Sequence, residues 1–223
     1  MVIYIGYDSK QPEAYEVCKE SILRYNRSHV IKPLIRSELE EQGVYWRPFQ
    51  NESTEFAFTR FLVPYLSDYQ GYALFCDSDF MWRCDPAELF DFMDIEWMDN
   101  RLGVYCVQHP AFLPPNTKMN GKLNLDYRRK YWSSLMLFNN RHCKELTKTA
   151  VNQAPAGFLH EMLWADGIGS LPAEYNAMIN YYQFKNPKAV HFTDGGPWHG
   201  INDNEEYSQE WNKIYEDLQK TNQ

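Results

Sequence analysis

The run Tyr72-Ala73-Leu74-Phe75-Cys76-Asp77-Ser78-Asp79 decides the fold. Five uninterrupted apolar residues read as a strand buried on both faces, as in a parallel sheet covered by helices. The run stops on two carboxylates. In an α/β sheet the carboxyl ends of the strands open onto the ligand crevice, so Asp77 and Asp79 are expected at its floor. Residues i and i+2 of an extended chain face the same side. Two carboxylates so placed repel each other unless a cation joins them, and hard oxygen donors suit Mg²⁺ or Mn²⁺ bridged to a diphosphate. The competing reading is a solvated turn, since Asp and Ser favour turns.

Strands and helices alternate on either side of this run. Val2 to Tyr7 reads as a first strand, and Pro12 opens a helix in which Tyr15, Cys18 and Ile22 repeat at three and four. A strand from Val30 to Ile35 follows, then an aromatic-rich helix from Thr54 to Leu66 that Pro64 kinks or ends. Asp85-Pro86-Ala87-Glu88 combines an N-cap, a proline at the first helical position and a Glu at the third, which predicts a helix from Pro86 to Met93. Gly103 to Gln108 and Ser134 to Phe138 read as strands, separated by a Pro-, Asn- and Lys-rich loop from Pro110 to Lys130 whose length suits a functional segment. Beyond them are helical patterns at His142 to Val151 and Gly157 to Trp164, a strand Ala189 to Phe192, and a polar helix from Glu205 to Lys220. The alternation predicts an α/β fold with a central, mainly parallel sheet flanked by helices. With no repeat, low-complexity tract or flexible linker, residues 1–223 are expected to form a single compact domain.

Composition narrows the partners. Against 30 Asp and Glu there are 22 Lys and Arg, a net charge of −8, which disfavours a sequence-independent grip on nucleic acid and on anionic membranes. No apolar run approaches a membrane span and the first residues lack the basic start of a signal peptide. The five cysteines never fall at Cys-x-x-Cys spacing, so reduced thiols and a cytoplasmic location are expected. The 7 Trp, 16 Tyr and 13 Phe supply core and also suit a pocket that stacks rings on a sugar or a base.

Near the other end stands His191-Phe192-Thr193-Asp194-Gly195-Gly196-Pro197-Trp198-His199. A strand ending in His191 could complete a metal shell while the backbone N–H groups of the Gly-Gly loop face an anion, although a lone histidine at a strand end is usually structural. With Asp77-Ser78-Asp79 this segment resembles the GT-A glycosyltransferases, in particular the family 8 group that includes glycogenin and bacterial lipopolysaccharide galactosyltransferases. Those enzymes pair an Asp-x-Asp metal motif with a C-terminal His segment. Gly6-Tyr7-Asp8 resembles their uracil-binding turn, Phe58-Thr59-Arg60-Phe61-Leu62 their donor-binding arginine segment, and Ser133-Ser134-Leu135-Met136-Leu137-Phe138-Asn139 their sugar-pocket strand.

The resemblance implies a Rossmann-like GT-A domain that transfers a hexose, glucose or galactose, from a UDP-sugar to an acceptor with retention at the anomeric carbon. The acceptor could be a glycan, lipid, protein or small molecule. It implies Mn²⁺ or Mg²⁺ held by Asp77, Asp79 and His191. Tyr7, Asp8, Arg60, Asp77, Ser78, Gly195 and Gly196 would contact the donor. Asp166, in Trp164-Ala165-Asp166-Gly167, is the candidate under the anomeric carbon, with a capping role as its alternative. Three features depart from the pattern: Gly196 stands where a lysine precedes Pro-Trp, Trp132 replaces the pocket strand's first Asn, and the Asp-Gln-Asp segment is reduced to Asp166. His160-Glu161-Met162-Leu163-Trp164 lacks the second histidine of a zinc-protease helix and reads as ordinary, and neither a dinucleotide fingerprint nor a Walker loop is present. A metal-dependent nucleotidyltransferase and a non-catalytic sugar-nucleotide or glycan-binding protein stay open as alternatives.

Overall fold

A computed structural model describes residues 1–50, 52–93, 102–110, 129–201 and 205–221. The first half contains β1 (Val2–Gly6), α1 (Pro12–Leu23), β2 (Val30–Leu34), α2 (Arg36–Glu41), α3 (Val63–Leu66), β3 (Tyr72–Cys76), β4 (Phe80–Trp82) and β5 (Val104–Val107). The second contains β6 (Leu135–Asn139), α4 (Lys148–Gln153), α5 (Ala156–His160), β7 (Ile168–Leu171), β8 (Ala177–Met178), β9 (Ala189–His191) and α6 (Glu205–Thr221).

Six strands form one sheet in the order β2-β1-β3-β6-β5-β7. β1 is parallel to β2 and β3, β5 is parallel to β7, and β6 runs antiparallel to both of its neighbours. All strands but β6 therefore end at the same edge. The pleat sends alternate residues to opposite faces, and both faces are covered. Tyr4, Phe75, Val104, Cys106, Met136 and Phe138 meet the 56–62 aromatics and Trp164. On the other face Ile3, Ile5, Leu74, Cys76, Tyr105 and Leu137 meet Tyr15, Cys18 and Ile22 of α1.

A second sheet, β4-β9-β8, stands at the carboxyl edge of the first. Its outer side is closed by α6, whose Tyr207, Trp211 and Ile214 pack with Val17, Met81, Val190 and Phe192. The spacing of three and four along α6 is that of one helical stripe.

Several expected helices take other forms. The stretch from Thr54 to Leu66 is a turn, then a 3₁₀ turn at Thr59–Leu62 and then α3. Pro64 lies in the first turn of α3, so it opens that helix rather than ending one. Pro86–Phe92 is 3₁₀, although Asp85 caps it as expected by accepting from the Ala87 N–H at 2.9 Å. In place of one helix across His142 to Val151 there is α4, which begins at Lys148 behind the cap Thr147, whose Oγ1 accepts from Ala150 N–H. α5 stops at His160 because the chain turns left-handed at Met162 (φ 53°) and Trp164 Nε1 donates to the Leu159 carbonyl. Most of the Pro110–Lys130 loop lies outside the described residues.

Candidate functional site

The site is assembled at the shared carboxyl edge. β3 delivers Asp77, and Asp77 N–H donates to the Ser134 carbonyl at 2.9 Å, which continues the ladder past the last strand residue. Two residues on, Asp79 leads into β4, where Phe80 pairs with His191 of β9. Phe192 N–H then donates to the Asp79 carbonyl at 3.0 Å. Register alone thus sets His191 beside Asp79, and the His191 ring stacks on Phe80 with centroids 4.5 Å apart.

One ligand atom from each of Asp77, Asp79 and His191 lies within 4.8 Å of the others. His191 Nε2 is 3.3 Å from Asp79 Oδ1. Two carboxylate oxygens and an imidazole form a mixed hard and borderline donor set that suits Mg²⁺ or Mn²⁺, so the residues present fit such an ion. Burial favours the protonated form of Asp79, but the adjacent His191 and Arg60 outweigh it and hold the carboxyl below its usual range.

Arg60 is buried beneath Asp77. Its Nη1 lies 2.8 Å from Asp77 Oδ1 and donates to the Ser133 carbonyl at 2.8 Å. The guanidinium sits over the rings of Phe56 and Phe75, 5.3 and 5.1 Å from their centroids, a cation–π setting with little water. Glu55, on the turn before Arg60, accepts from Ser9 N–H and Oγ. The 3₁₀ turn at Thr59–Leu62 turns Arg60 inward together with Phe61.

The other expected donor contacts are arranged unevenly. Tyr7 and Asp8 follow β1 at the same edge as Asp77. The Asp8 carboxylate is buried and accepts from Lys10 N–H at 3.0 Å and Glu55 N–H at 3.4 Å, so it already ties the β1–α1 turn to the segment carrying Arg60. Tyr7 meets Tyr15 edge-on. Ser78 is buried between the two metal-site carboxylates in sequence. Gly195 adopts φ 108°, which a side chain would rarely tolerate, and its N–H donates to the Phe192 carbonyl at 2.8 Å. That amide therefore serves its own turn and not an anion. At Gly196 a Cβ would approach the Trp198 ring to 2.3 Å, so packing requires glycine there. Trp198 Nε1 in turn donates to Gln11 Oε1 at 2.8 Å, fastening this loop to the start of α1.

Asp166 is not brought to the site. It is exposed and precedes β7, and β7 runs parallel to β5, so Asp166 lies at the amino edge of the sheet while Asp77 lies at the carboxyl edge.

Residues with no sequence signal fill the edge instead. Asn176, at the end of the 3₁₀ turn that follows β7, is fully buried, and its Oδ1 lies 2.7 Å from His191 Nδ1. His109, just past β5, is 2.9 Å from the Tyr182 hydroxyl. Burial, and next the nearby His191, push its pKa down to about 3, against a hydrogen bond to Asn176. His109 is therefore a neutral polar group at pH 7. His160 Nδ1 lies 3.3 Å from Ser133 Oγ, one residue's backbone from the Arg60 contact. A single Asn, or a His next to a loop, has no periodicity or spacing that separates it from an ordinary surface residue.

The chain is 40% identical over 232 residues to protein CDI of Arabidopsis thaliana, covering 99% of this chain and 88% of that protein. It belongs to the CDI family. No protein-family profile matches it. Among solved structures, the galactosyltransferase LgtC, determined with donor and acceptor sugar analogues, superposes with a TM-score of 0.59 at 11% identity, covering 97% of this chain and 96% of LgtC. The glycosyltransferase GlyE of Streptococcus pneumoniae TIGR4 gives 0.59 at 14% identity. This CDI-family chain covers 99% of itself in that match but spans only 63% of GlyE. The fold of this CDI-family member is thus the GT-A fold of glycosyltransferases. No helix among its described residues is long and apolar enough to cross a membrane.

Proposed function

We propose that the protein is a metal-dependent glycosyltransferase that moves a hexose from a UDP-sugar, UDP-glucose or UDP-galactose, to an acceptor, with retention at the anomeric carbon. The observation that carries this reading is the convergence of Asp77, Asp79 and His191 at the carboxyl edge of a GT-A sheet. On this reading residues 1–223 act as one catalytic domain in the cytoplasm.

Asp77, Asp79 and His191 would hold Mn²⁺ or Mg²⁺, which supplies positive charge for the diphosphate leaving group as the glycosidic bond breaks. The chain's own residues do the rest. Arg60 locks Asp77 in place through a buried ion pair and leaves a fixed cation beneath the diphosphate. Because that cation is already in position, no reorganisation is needed when charge develops. Tyr7 and Asp8 form the turn at which the base would be read, and Ser78 offers a hydroxyl between the carboxylates. Ser133, His160 and a neutral His109 supply polar groups around the sugar position, which suits hydroxyl recognition in a closed site.

Calorimetric titration of UDP with and without Mn²⁺ tests the site. Asp77→Ala, Asp79→Ala and His191→Ala should each abolish the Mn²⁺-dependent part of binding, and wild-type behaviour in all three would refute it. A hydrolysis screen over nucleotide sugars tests the reaction. Release of UDP from UDP-glucose or UDP-galactose is expected. Preference for a GDP- or CMP-sugar, release of pyrophosphate, or UDP binding with no turnover would each overturn the proposal in favour of another donor, a nucleotidyltransferase or a binding protein.

A further inference from the structure

We infer that Asn176 is a positioning residue for the metal site: it holds the His191 ring in the tautomer that carries its proton on Nδ1 and points the bare Nε2 at Asp77 and Asp79. The inference rests on the metal reading of those three residues but is fixed by a separate chain of hydrogen bonds.

The chain starts at a hydroxyl that cannot donate to Asn176. Ser134 Oγ lies 2.6 Å from the Tyr131 carbonyl oxygen, so the hydroxyl hydrogen must point there. With its one proton committed, Ser134 Oγ can only accept from its other neighbour, the Asn176 side chain at 2.8 Å. The atom facing Ser134 is therefore the amide nitrogen Nδ2. Its partner Oδ1 then faces His191 Nδ1 at 2.7 Å, and an amide oxygen only accepts. His191 must donate from Nδ1. Each member is buried, with Asn176 0%, His191 1% and Ser134 3% exposed, so water is not at hand to satisfy a flipped amide, whose oxygen would be set against the Ser134 Oγ lone pairs.

The consequence falls on Nε2, which lies 3.3 Å from Asp79 Oδ1. A neutral imidazole with its proton on Nδ1 presents a lone pair at Nε2, the form a divalent cation binds. The 3₁₀ turn at Trp132–Ser134, the amino end of β6 and the start of β8 are thus tied to the orientation of one ring on β9.

The test begins with the wild-type protein, metal-free, labelled with ¹⁵N at its 6 histidines. Long-range ¹H–¹⁵N spectra, assigned by comparison with His191→Gln, should show His191 with a proton on Nδ1. A bare Nδ1, with the proton on Nε2 alone, would overturn the inference without any variant having to fold. Asn176→Leu, which keeps the volume and removes the acceptor, should lose the Nδ1–H signature and weaken Mn²⁺ binding measured by calorimetry about ten- to a hundredfold. Asn176→Asp restores an acceptor at the same place and should recover the Nδ1–H signature and most of the Mn²⁺ affinity. Wild-type tautomer and affinity in Asn176→Leu, or equal losses in Leu and Asp, would refute the role. If the wild type shows the expected tautomer yet binds no Mn²⁺, the proposed function fails while the hold of Asn176 on the ring stands.

Discussion

At the level of single residues, the site depends on how one guanidinium is shared. Arg60 serves Asp77 Oδ1 and the Ser133 carbonyl from one buried position between two aromatic rings. A lysine keeps the charge but loses the planar fork and the ring stacking, so the conservative exchange is not conservative here. Arg60→Lys should weaken Mn²⁺–UDP binding by about 1.5–3 kcal/mol, ten- to a hundredfold, through loss of a buried charge-assisted contact. Calorimetry on the variant measures this directly, and unchanged affinity would mean that Arg60 serves only the core. The sequence made Asp77, Asp79, Arg60 and His191 legible because each stands next to a strongly apolar run whose end is easy to place. It could not show that Asp8 is spent on backbone N–H groups, nor that Asn176 stands behind His191, because both facts depend on segments far apart in the chain meeting at one edge. Asp166 misled for a related reason: a carboxylate before a short strand reads the same from either end of the sheet.

Among the elements, β1, β2, β3, β5, β6 and β9 were readable as strands, whereas β4, β7 and β8 were not. β4 and β8 have three and two residues, too few for any period to show. Helix starts fared better than helix forms. Asp85 caps the turn that begins at Pro86 as its sequence predicts, but the segment winds as 3₁₀. Its carboxylate also accepts from Asn26 Nδ2 at 3.2 Å and lies 2.7 Å from His29 Nε2, bracing the end of α1. Burial tends to raise the Asp85 pKa, but the Ala87 N–H and then the His29 and Asn26 bonds outweigh it, and the net direction is down. A carboxyl whose folded pKa is depressed stabilises the fold at pH above its unfolded value, about 3.9, and loses that contribution as pH falls through the folded value. Asp85→Ala should cost about 0.5–2 kcal/mol at pH 7. Urea unfolding at pH 7 and near pH 3 checks both parts: the gap between wild type and variant should narrow in acid, and a gap that widened would contradict the assignment.

For the molecule as a whole, the metal triad lies across a seam. Asp77 hangs from the end of β3 in the six-stranded sheet, whereas Asp79 and His191 belong to the entry of β4 and the end of β9 in the small sheet. The two sheets are also joined through the Asp77–Asp79 segment, the Asn176–Ser134 hydrogen bond and packing around Phe80 and Trp82. An ion held by all three side chains would connect the sheets directly, and because the unfolded chain does not bring these residues together, binding would add to folding stability. At a free Mn²⁺ concentration of about a hundred times Kd the gain is about 2.7 kcal/mol. For a chain of this size that corresponds to a rise in Tm of about 5–10 °C. Thermal unfolding followed by circular dichroism in Mn²⁺ and in EDTA measures it. The rise should vanish in Asp79→Ala and in His191→Ala, which remove the small-sheet half of the clamp, and should shrink in Asn176→Leu. If Mn²⁺ binds by calorimetry yet leaves the wild-type Tm where EDTA does, it binds the unfolded chain as tightly as the folded one, and the convergence of the three side chains across the seam contributes nothing to holding it.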